Sequence, residues 1–297
     1  MRELVVLGTA SQVPTRTRNH NGYLLRWDGE GLLFDPGEGT QRQMIHAGVS
    51  ASQITRICLT HVHGDHCFGL PGVLSRLALD GVTRTINLHY PSSGEDVVRA
   101  LVSASSAEVD LKLRPHGGAG TIAPGLEVQP LRHRIETYGY RLTEPEGRSL
   151  LPDRLAAARV DGADVGRLLR DGNLGRVRLE DVSVPRPGQS FAFVMDTAPC
   201  TGAEELADGV DLLVAESTFS NDDAELAGQY GHLTAGQAGE LAARAAVGTL
   251  VLTHFSSRYG ADVTLLAEQA RDRAGEASVV AANDLDRMAF PKRRRWS

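Results

Sequence analysis

Short runs of apolar and β-branched residues recur along the chain, and turn-forming or polar residues bound most of them. The clearest runs are LVVLGT, GYLLRW, GLLFD, RICLT, LEVQPL, YGYRL, SFAFVMD, LLVAES, TLVLTHF and SVVAAN. Runs of this length and composition predict β-strands. Stretches with helix-like spacing lie between several of them, around residues 71–79, 95–105 and 233–245. Many strands with interspersed helices predict an α/β fold of stacked sheets covered by helices.

Side chains that can bind metal follow four of these predicted strands. His61 follows RICLT, His133 follows LEVQPLR, Asp196 follows SFAFVM, and His254 follows TLVLT. Loops at the ends of neighbouring strands can gather around one cleft. We therefore expect these four residues to meet in a single site.

The segment HVHGDH is the densest group of such side chains, with three histidines and an aspartate in six residues: His61, His63, Asp65 and His66. Imidazole and carboxylate groups are the ligands that zinc binds at about 2.0–2.2 Å. An isolated histidine is more often an ordinary core or surface residue, and this is our interpretation of His20, His46, His89 and His116. The clustering therefore indicates a metal site.

Composition limits the class of protein. A chain of 297 residues can form one large domain or two small ones, and its net charge of -6 argues against a strongly basic surface but allows a local cationic groove. The three cysteines, Cys58, Cys67 and Cys200, lack CxxC spacing, so we expect a reducing cytoplasm and no thiolate site. No apolar run approaches the roughly 20 residues that cross a bilayer, and we expect no membrane association.

The strand pattern weakens between about residues 144 and 187, where turns and mixed charges dominate. We interpret this segment as an insertion within one domain spanning residues 1–297. From Glu144 to Arg186 it contains eight arginines and eight acidic residues. Two interpretations of this segment stay open, a solvated lid and a substrate-binding arm. Two interpretations also stay open for the basic tail Lys292–Arg295, a contact with a polyanion and a merely soluble chain end.

Several motifs resemble known proteins. HVHGDH is similar to the HxHxDH motif of the metallo-β-lactamase superfamily. Four blocks resemble its ribonuclease Z family: LGTASQVPTRTRN, LLFDPGEGTQRQM, ICLTHVHGDHCFGLPGVLS, and GHLTAGQAGELA with LVLTHFSSRY. The resemblance implies a sandwich of two mixed β-sheets flanked by helices, with an inserted arm that binds tRNA.

The resemblance also implies two Zn²⁺ per chain, at sites that Mn²⁺ or Fe²⁺ can also occupy. One ion is expected on His61, His63, His133 and Asp196, and the other on Asp65, His66, His254 and Asp196. In this scheme Asp196 bridges the two ions.

The family's catalytic residues match further positions. Asp65 is expected to orient the attacking water and accept its proton. His232, paired with Glu216, is expected to protonate the leaving 3′-oxygen. The Pro14–Asn19 loop resembles a basic segment of the family, so that Arg16, Arg18 and Asn19 are expected to bind substrate, although solvated loop arginines are an equal alternative.

The function that the resemblance implies is endonucleolytic removal of the 3′ trailer from precursor tRNA, leaving a 3′-hydroxyl, by a homodimer. The arm departs from the family pattern because it lacks lysine and is charge-balanced. A dizinc hydrolase of small phosphodiesters or esters is therefore the alternative, and a non-catalytic RNA-binding module is a third. Cleavage assays with a 3′-extended tRNA and a small diester discriminate among them.

Overall fold

The computed structural model describes residues 2–293, which form two compact units. The larger unit contains the residues up to Leu142 together with Ser190–Pro291, and the smaller unit contains Thr143–Gln189 with the start of the C-terminal tail. Arg294 and Arg295 of the basic tail lie outside the described residues. In the described part of the chain, no helix combines the length and the apolar character needed to cross a bilayer.

The larger unit contains two seven-stranded sheets. The first has the order β20-β1-β3-β4-β5-β6-β7. Its strands are β1 (Glu3–Gly8), β3 (Gly22–Trp27), β4 (Glu30–Phe34), β5 (Arg56–Cys58), β6 (Ile86–Pro91), β7 (Leu111–His116) and β20 (Arg287–Ala289). Strands β4 to β7 are parallel, and β20, β1, β3 and β4 pair antiparallel.

The second sheet has the order β19-β17-β16-β15-β10-β9-β8. Its strands are β8 (Gly120–Ala123), β9 (Leu126–Pro130), β10 (Tyr138–Thr143), β15 (Ser190–Val194), β16 (Leu212–Glu216), β17 (Thr249–Thr253) and β19 (Ser278–Ala281). Strands β15, β16, β17 and β19 are parallel. Every residue of β15 and β16 is buried, which is why these strands are continuously apolar rather than alternating.

Three apolar cores hold the layers together. The central core joins the facing sides of the two sheets, where Phe34 stacks on Phe193 at 4.7 Å between ring centres and Tyr23 packs edge-on against Phe193. The other two cores lie between each sheet and its covering helices. The arrangement is a helix–sheet–sheet–helix sandwich, so the expected fold class is confirmed.

The helices divide between the two outer faces. Helices α1 (Thr40–His46), α3 (Leu70–Leu79) and α4 (Glu95–Ala104) contribute to the core of the first sheet. Helices α7 (Thr201–Ala207), α9 (Ala235–Arg244) and α10 (Thr264–Arg271) cover the second. The remaining elements of this unit are α2 (Gly64–Cys67), α8 (Ala224–Tyr230) and the short parallel pair β2 (Ala10–Ser11) and β18 (Phe255–Ser256).

The smaller unit has its own structure. Strands β11 (Gly147–Leu150) and β14 (Ser183–Arg186) form an antiparallel stem. Helices α5 (Pro152–Ala157) and α6 (Gly162–Asp171) and the hairpin of β12 (Asn173–Leu174) and β13 (Val177–Arg178) complete it. Val160, Leu168 and Val182 form a small apolar core.

Candidate metal centre

The predicted ligands meet at one edge of the sandwich, although they are far apart in sequence. His61 follows β5, Asp196 follows β15 and His254 follows β17, so parallel strands of both sheets deliver side chains to the same place. Three sets of possible ligand atoms lie within 4.8 Å of one another inside each set. They are His61, His63, His133 and Asp196; Asp65, His66 and His254; and Asp196, His232 and His254. The first two sets contain the predicted ligands. The structure therefore brings all seven predicted ligands together.

Asp196 lies between the two groups and directs one oxygen at each. Its Oδ2 is 3.5 Å from Nε2 of His61 and 3.7 Å from Nε2 of His133. Its Oδ1 is 3.4 Å from Nε2 of His66 and 3.2 Å from Nε2 of His254. A carboxylate in this position can contribute one ligand to each of two adjacent cations.

The tautomers of these histidines are set by acceptors behind the site. Nδ1 of His66 lies 2.9 Å from Oδ2 of Asp35, and Nδ1 of His133 lies 3.0 Å from the carbonyl oxygen of Gly231. Each Nδ1–H donates to its acceptor, so Nε2 is the nitrogen that faces the centre and would present its lone pair to a bound ion. Such outer partners orient histidine ligands and raise their basicity.

His61 and His254 are held by two matching relays. The hydroxyl of Thr60 donates to Asp35 at 2.7 Å, and its oxygen accepts from Nδ1 of His61 at 2.9 Å. In the other sheet, the hydroxyl of Thr218 donates to Glu216, and its oxygen accepts from Nδ1 of His254 at 2.8 Å. Each sheet therefore supplies a buried carboxylate that fixes a threonine and, through it, a histidine.

Several buried polar atoms at the centre lack a hydrogen-bond partner within the described residues. They include Nε2 of His133, Nε2 of His254 and Oδ1 of Asp196. Leaving buried polar groups unsatisfied is costly, and native structures seldom tolerate it without a reason. Two bound cations, one in each group of ligands, would satisfy these three atoms between them, so the donor set fits metal ions.

The charges of the centre also fit cations. Burial opposes protonation of His66, but Asp196, Asp65 and Asp35 outweigh it and raise its pKa well above the ordinary value. By contrast, burial and the neighbouring His66 lower the pKa of His61. The acidic side chains thus create an excess of negative potential around imidazoles, which positive ions would neutralise.

Three residues of the centre have left-handed backbone conformations that are uncommon outside glycine. The φ angles are 43° for Asp35, 42° for Asp196 and 59° for His254. Conformations of this kind cost free energy and concentrate at functional sites. Each occurs within two residues of the end of a strand, where the unusual turn directs the side chain across the end of the sheets.

His232 and Glu216 form a buried pair beside the centre. Nδ1 of His232 lies 3.0 Å from Oε1 of Glu216. Burial opposes the charge of His232, but Glu216 and Asp196 outweigh it and raise its pKa to about 9. Thr234, two residues after His232, forms a capping box with Gln237 at the start of α9. This cap fixes the backbone that carries the His232 ring.

The structure buries Arg18 among protein partners, which argues against the substrate-binding role that we expected. Its side chain is 3 % exposed. Its guanidinium donates to the hydroxyl of Thr9 at 2.8 Å and to the carbonyl oxygens of Ala282 and Ala261 at 3.1 and 3.2 Å. The ring of Phe255 lies beneath it at 4.8 Å. These contacts use its donors inside the protein.

The other two predicted loop residues differ from Arg18. Arg16 is exposed but is not among the residues that line the cleft over the centre. Asn19 is half-buried, and its side-chain amide donates to the carbonyl oxygen of Glu38 at 2.8 Å, so it braces the turn at Gly39, where φ is 85°. Substrate binding by Arg16 and Asn19 stays a prediction.

Sequence reasoning missed two residues of the site. Asp35 is fully buried and organises His66 and Thr60; its position at the end of the predicted strand GLLFD was the available signal. Arg134 lines a cleft of about 490 Å³ over the centre, and its guanidinium lies 5.1 Å from the ring centre of Tyr230. No ion pair to Arg134 is found in the described part of the chain, and only its adjacency to His133 could have indicated it.

Comparisons with known proteins agree with this geometry. The family model described as the metallo-β-lactamase superfamily matches residues 15–254. A ribonuclease Z of Nocardia farcinica is 58 % identical, with 99 % of each chain covered. A ribonuclease Z of Chlamydia muridarum is 41 % identical, with 98 % of each chain covered. The short form of human tRNase Z, 24 % identical, shares the fold with a TM-score of 0.68 over 98 % of this chain and 100 % of its own.

The sandwich and the histidine–aspartate centre at its edge define a metal-binding hydrolase of the metallo-β-lactamase superfamily. Within that superfamily, the similarity extends over nearly the full length of the ribonuclease Z relatives. The chain belongs to the ribonuclease Z family, as the motifs predicted.

Proposed function

We propose that this chain is an endoribonuclease that removes the 3′ trailer from precursor tRNA and leaves a 3′-hydroxyl on the tRNA. The observation that carries the mechanism is Asp196, whose two oxygens face separate sets of histidines. The ribonuclease Z relatives support the choice of substrate.

The proposed centre holds two Zn²⁺, with Mn²⁺ or Fe²⁺ as chemically possible replacements. His61, His63, His133 and Asp196 would hold one ion, and Asp65, His66, His254 and Asp196 the other. Ions bound there supply Lewis acidity toward the phosphoryl oxygens and make water nucleophilic at neutral pH.

We propose that Asp65 orients the attacking water. Its Oδ2 lies 3.4 Å from Nε2 of His66 and accepts a hydrogen bond from the backbone N–H of Gln12 at 2.8 Å. The hydrogen bond from Gln12 fixes the side chain from the protein side. The side chain also lines the cleft, so one of its edges is open to a bound substrate. We assign it the role of accepting the proton of the water.

We propose that His232 donates a proton to the leaving 3′-oxygen. Its Nδ1 is committed to Glu216, so Nε2 is the nitrogen available to the substrate. Both His232 and Arg134 line the cleft. Arg134 has a cationic group that can contact a phosphate next to the scissile bond.

The smaller unit is our candidate for tRNA binding away from the cut. Of the eight arginines between Glu144 and Arg186, five already bond to groups of the same unit: Arg148, Arg154, Arg167, Arg178 and Arg186. Arg159, Arg170 and Arg176 are exposed, and no ion pair to them is found within residues 2–293. These three are the proposed phosphate contacts of the arm.

A cleavage assay on purified protein tests the proposal. A 3′-extended tRNA should be cut to a product with a 3′-hydroxyl, and metal analysis should find two ions per chain.

The second candidate, a hydrolase of small phosphodiesters or esters, is favoured by the charge balance of the arm. Hydrolysis of bis(p-nitrophenyl) phosphate without tRNA cleavage would select it. Light scattering tests the homodimer, and fractionation tests the cytoplasmic location, which we propose on family grounds.

A further inference from the structure

Phe68 is exposed although it lies within a buried apolar segment. The neighbouring side chains Cys67 and Leu70 are fully buried, whereas Phe68 is 58 % exposed. Isolated exposed apolar side chains are common and need no explanation by themselves. Phe68 differs because it lines the cleft over the proposed metal centre, three residues after Asp65.

The backbone around Phe68 is tightly held. Its N–H donates to the carbonyl oxygen of Gly64 at 2.9 Å, and the N–H of Gly69 donates to that of Pro36 at 2.9 Å. A Cβ atom on Gly64 would lie 2.5 Å from the Phe68 ring, so the ring packs directly over this glycine. The ring is thus held in place while much of its surface stays open to solvent.

The remainder of the cleft is suited to a nucleotide chain. Arg134 and the half-exposed Tyr230 stand together at the cleft and combine a cation with an aromatic ring. Proteins that bind single-stranded nucleic acid pair cationic groups with aromatic rings on which bases stack. A fixed, exposed phenyl ring beside the reacting centre has the properties of such a platform.

We propose that Phe68 is a stacking platform for one nucleobase adjacent to the scissile phosphate. This inference rests on the proposed function and extends it, because it assigns an RNA base to a defined side chain. Stacking accepts any base, so Phe68 contributes to affinity and positioning rather than to sequence choice.

The test compares the variants Phe68→Ala, Phe68→Leu and Phe68→Trp with the wild type. Leucine keeps an apolar side chain but has no aromatic face, and tryptophan keeps the face. Leu265→Ala is the matched control, since Leu265 is 49 % exposed on α10 and does not line the cleft. Metal content and thermal unfolding of each variant verify that the fold is intact.

The substrates are precursor tRNAs that carry either ordinary nucleotides or an abasic ribose at one of the two positions flanking the cut. We expect Phe68→Ala and Phe68→Leu to lower kcat/KM about 5- to 150-fold on the ordinary substrate, the range expected for one stacked base. Phe68→Trp should stay near the wild type. One abasic substrate should lower the wild-type value by a similar factor and cause no further loss in Phe68→Ala.

Three outcomes would overturn the inference while leaving the proposed function intact. They are wild-type kinetics for Phe68→Leu, additive losses with both abasic substrates, and a change of oligomeric state in place of a kinetic effect. If the wild type itself does not cut the ordinary precursor, the proposed function fails and the inference fails with it.

Discussion

Nδ1 of His232 lies 3.0 Å from Oε1 of Glu216, and this carboxylate links the proposed acid to the metal centre. Oε1 also accepts the backbone N–H of Thr197 at 2.7 Å, while Oε2 accepts the hydroxyl of Thr218, which holds His254. Glu216 is therefore fixed by the strands around it. One buried carboxylate orients a proton donor and a metal ligand together.

Replacement of His232 by alanine should slow precursor cleavage about 10²- to 10⁴-fold, because it removes a general acid and no ligand. A synthetic diester with a p-nitrophenolate leaving group needs little protonation and should lose far less. The measurement is kcat on both substrates with metal analysis. Exposed His46 provides the matched control, His46→Ala. Equal losses on the two substrates, or loss of one metal equivalent, would reject the role.

Asp196→Ala should lower metal content at both positions, whereas His254→Ala should affect one. The reason is that the two oxygens of Asp196 face different histidine sets, while Nε2 of His254 lies beside Oδ1 of Asp196 and Oδ2 of Asp65, on the side of one ion. Elemental analysis after dialysis against a weak chelator measures the stoichiometry. Two ions retained by Asp196→Ala, with near-normal cleavage, would contradict the bridging assignment.

Changing Arg159, Arg170 and Arg176 together to glutamine should weaken tRNA binding and flatten its salt dependence. Each phosphate contact contributes about 0.7–0.9 to the slope of log K against log salt, so the slope should fall by up to about 2–3. Filter binding at several salt concentrations gives this slope. The matched control changes Arg167 and Arg178 to glutamine, since both already form ion pairs within the unit. An unchanged slope would indicate that the arm is a passive lid.

Arg18→Ala should destabilise the protein by roughly 2–4 kcal/mol, since buried carbonyl oxygens lose a charged donor. Arg16→Ala should change stability by less than about 0.5 kcal/mol, because Arg16 is exposed. Urea unfolding of both variants measures the difference. A normally stable Arg18→Ala protein with reduced tRNA affinity would restore our first expectation for this residue.

The protein should lose stability in mild acid because His116 is buried. Burial lowers the pKa of His116 to about 4, and its Nδ1 has no partner among the described residues. Between pH 6.5 and 4 the unfolded chain binds more protons than the folded one. The contribution of His116 to the free energy of unfolding is therefore fully present above pH 6.5 and decreases as the pH falls toward 4. The loss approaches about 3 kcal/mol.

His116→Gln should flatten this part of the pH dependence, because glutamine does not titrate and can still donate to the Tyr140 hydroxyl oxygen, 3.1 Å from Nε2 of His116. Denaturant unfolding of the metal-loaded protein at pH 7, 6, 5 and 4 provides the measurement. His46→Gln is the control for an exposed histidine. Parallel pH curves for the wild type and His116→Gln would contradict the prediction.

The sequence by itself determined the layers of the fold and the identity of the candidate metal ligands. Strands buried on both faces must be continuously apolar, so the runs that became β15 and β16 were visible directly. His61, His63, Asp65 and His66 are local in the chain, and their clustering needed no tertiary information.

Only the tertiary structure decided what depends on partners distant in the chain. Arg18 contacts the carbonyl oxygen of Ala282, 264 positions away, and this contact turned a presumed substrate ligand into a buried brace. Each oxygen of Asp196 faces one histidine that follows a strand of the first sheet and one that follows a strand of the second. Local sequence patterns report periodicity and burial, whereas the direction of a side chain depends on contacts that form only when distant segments pack together.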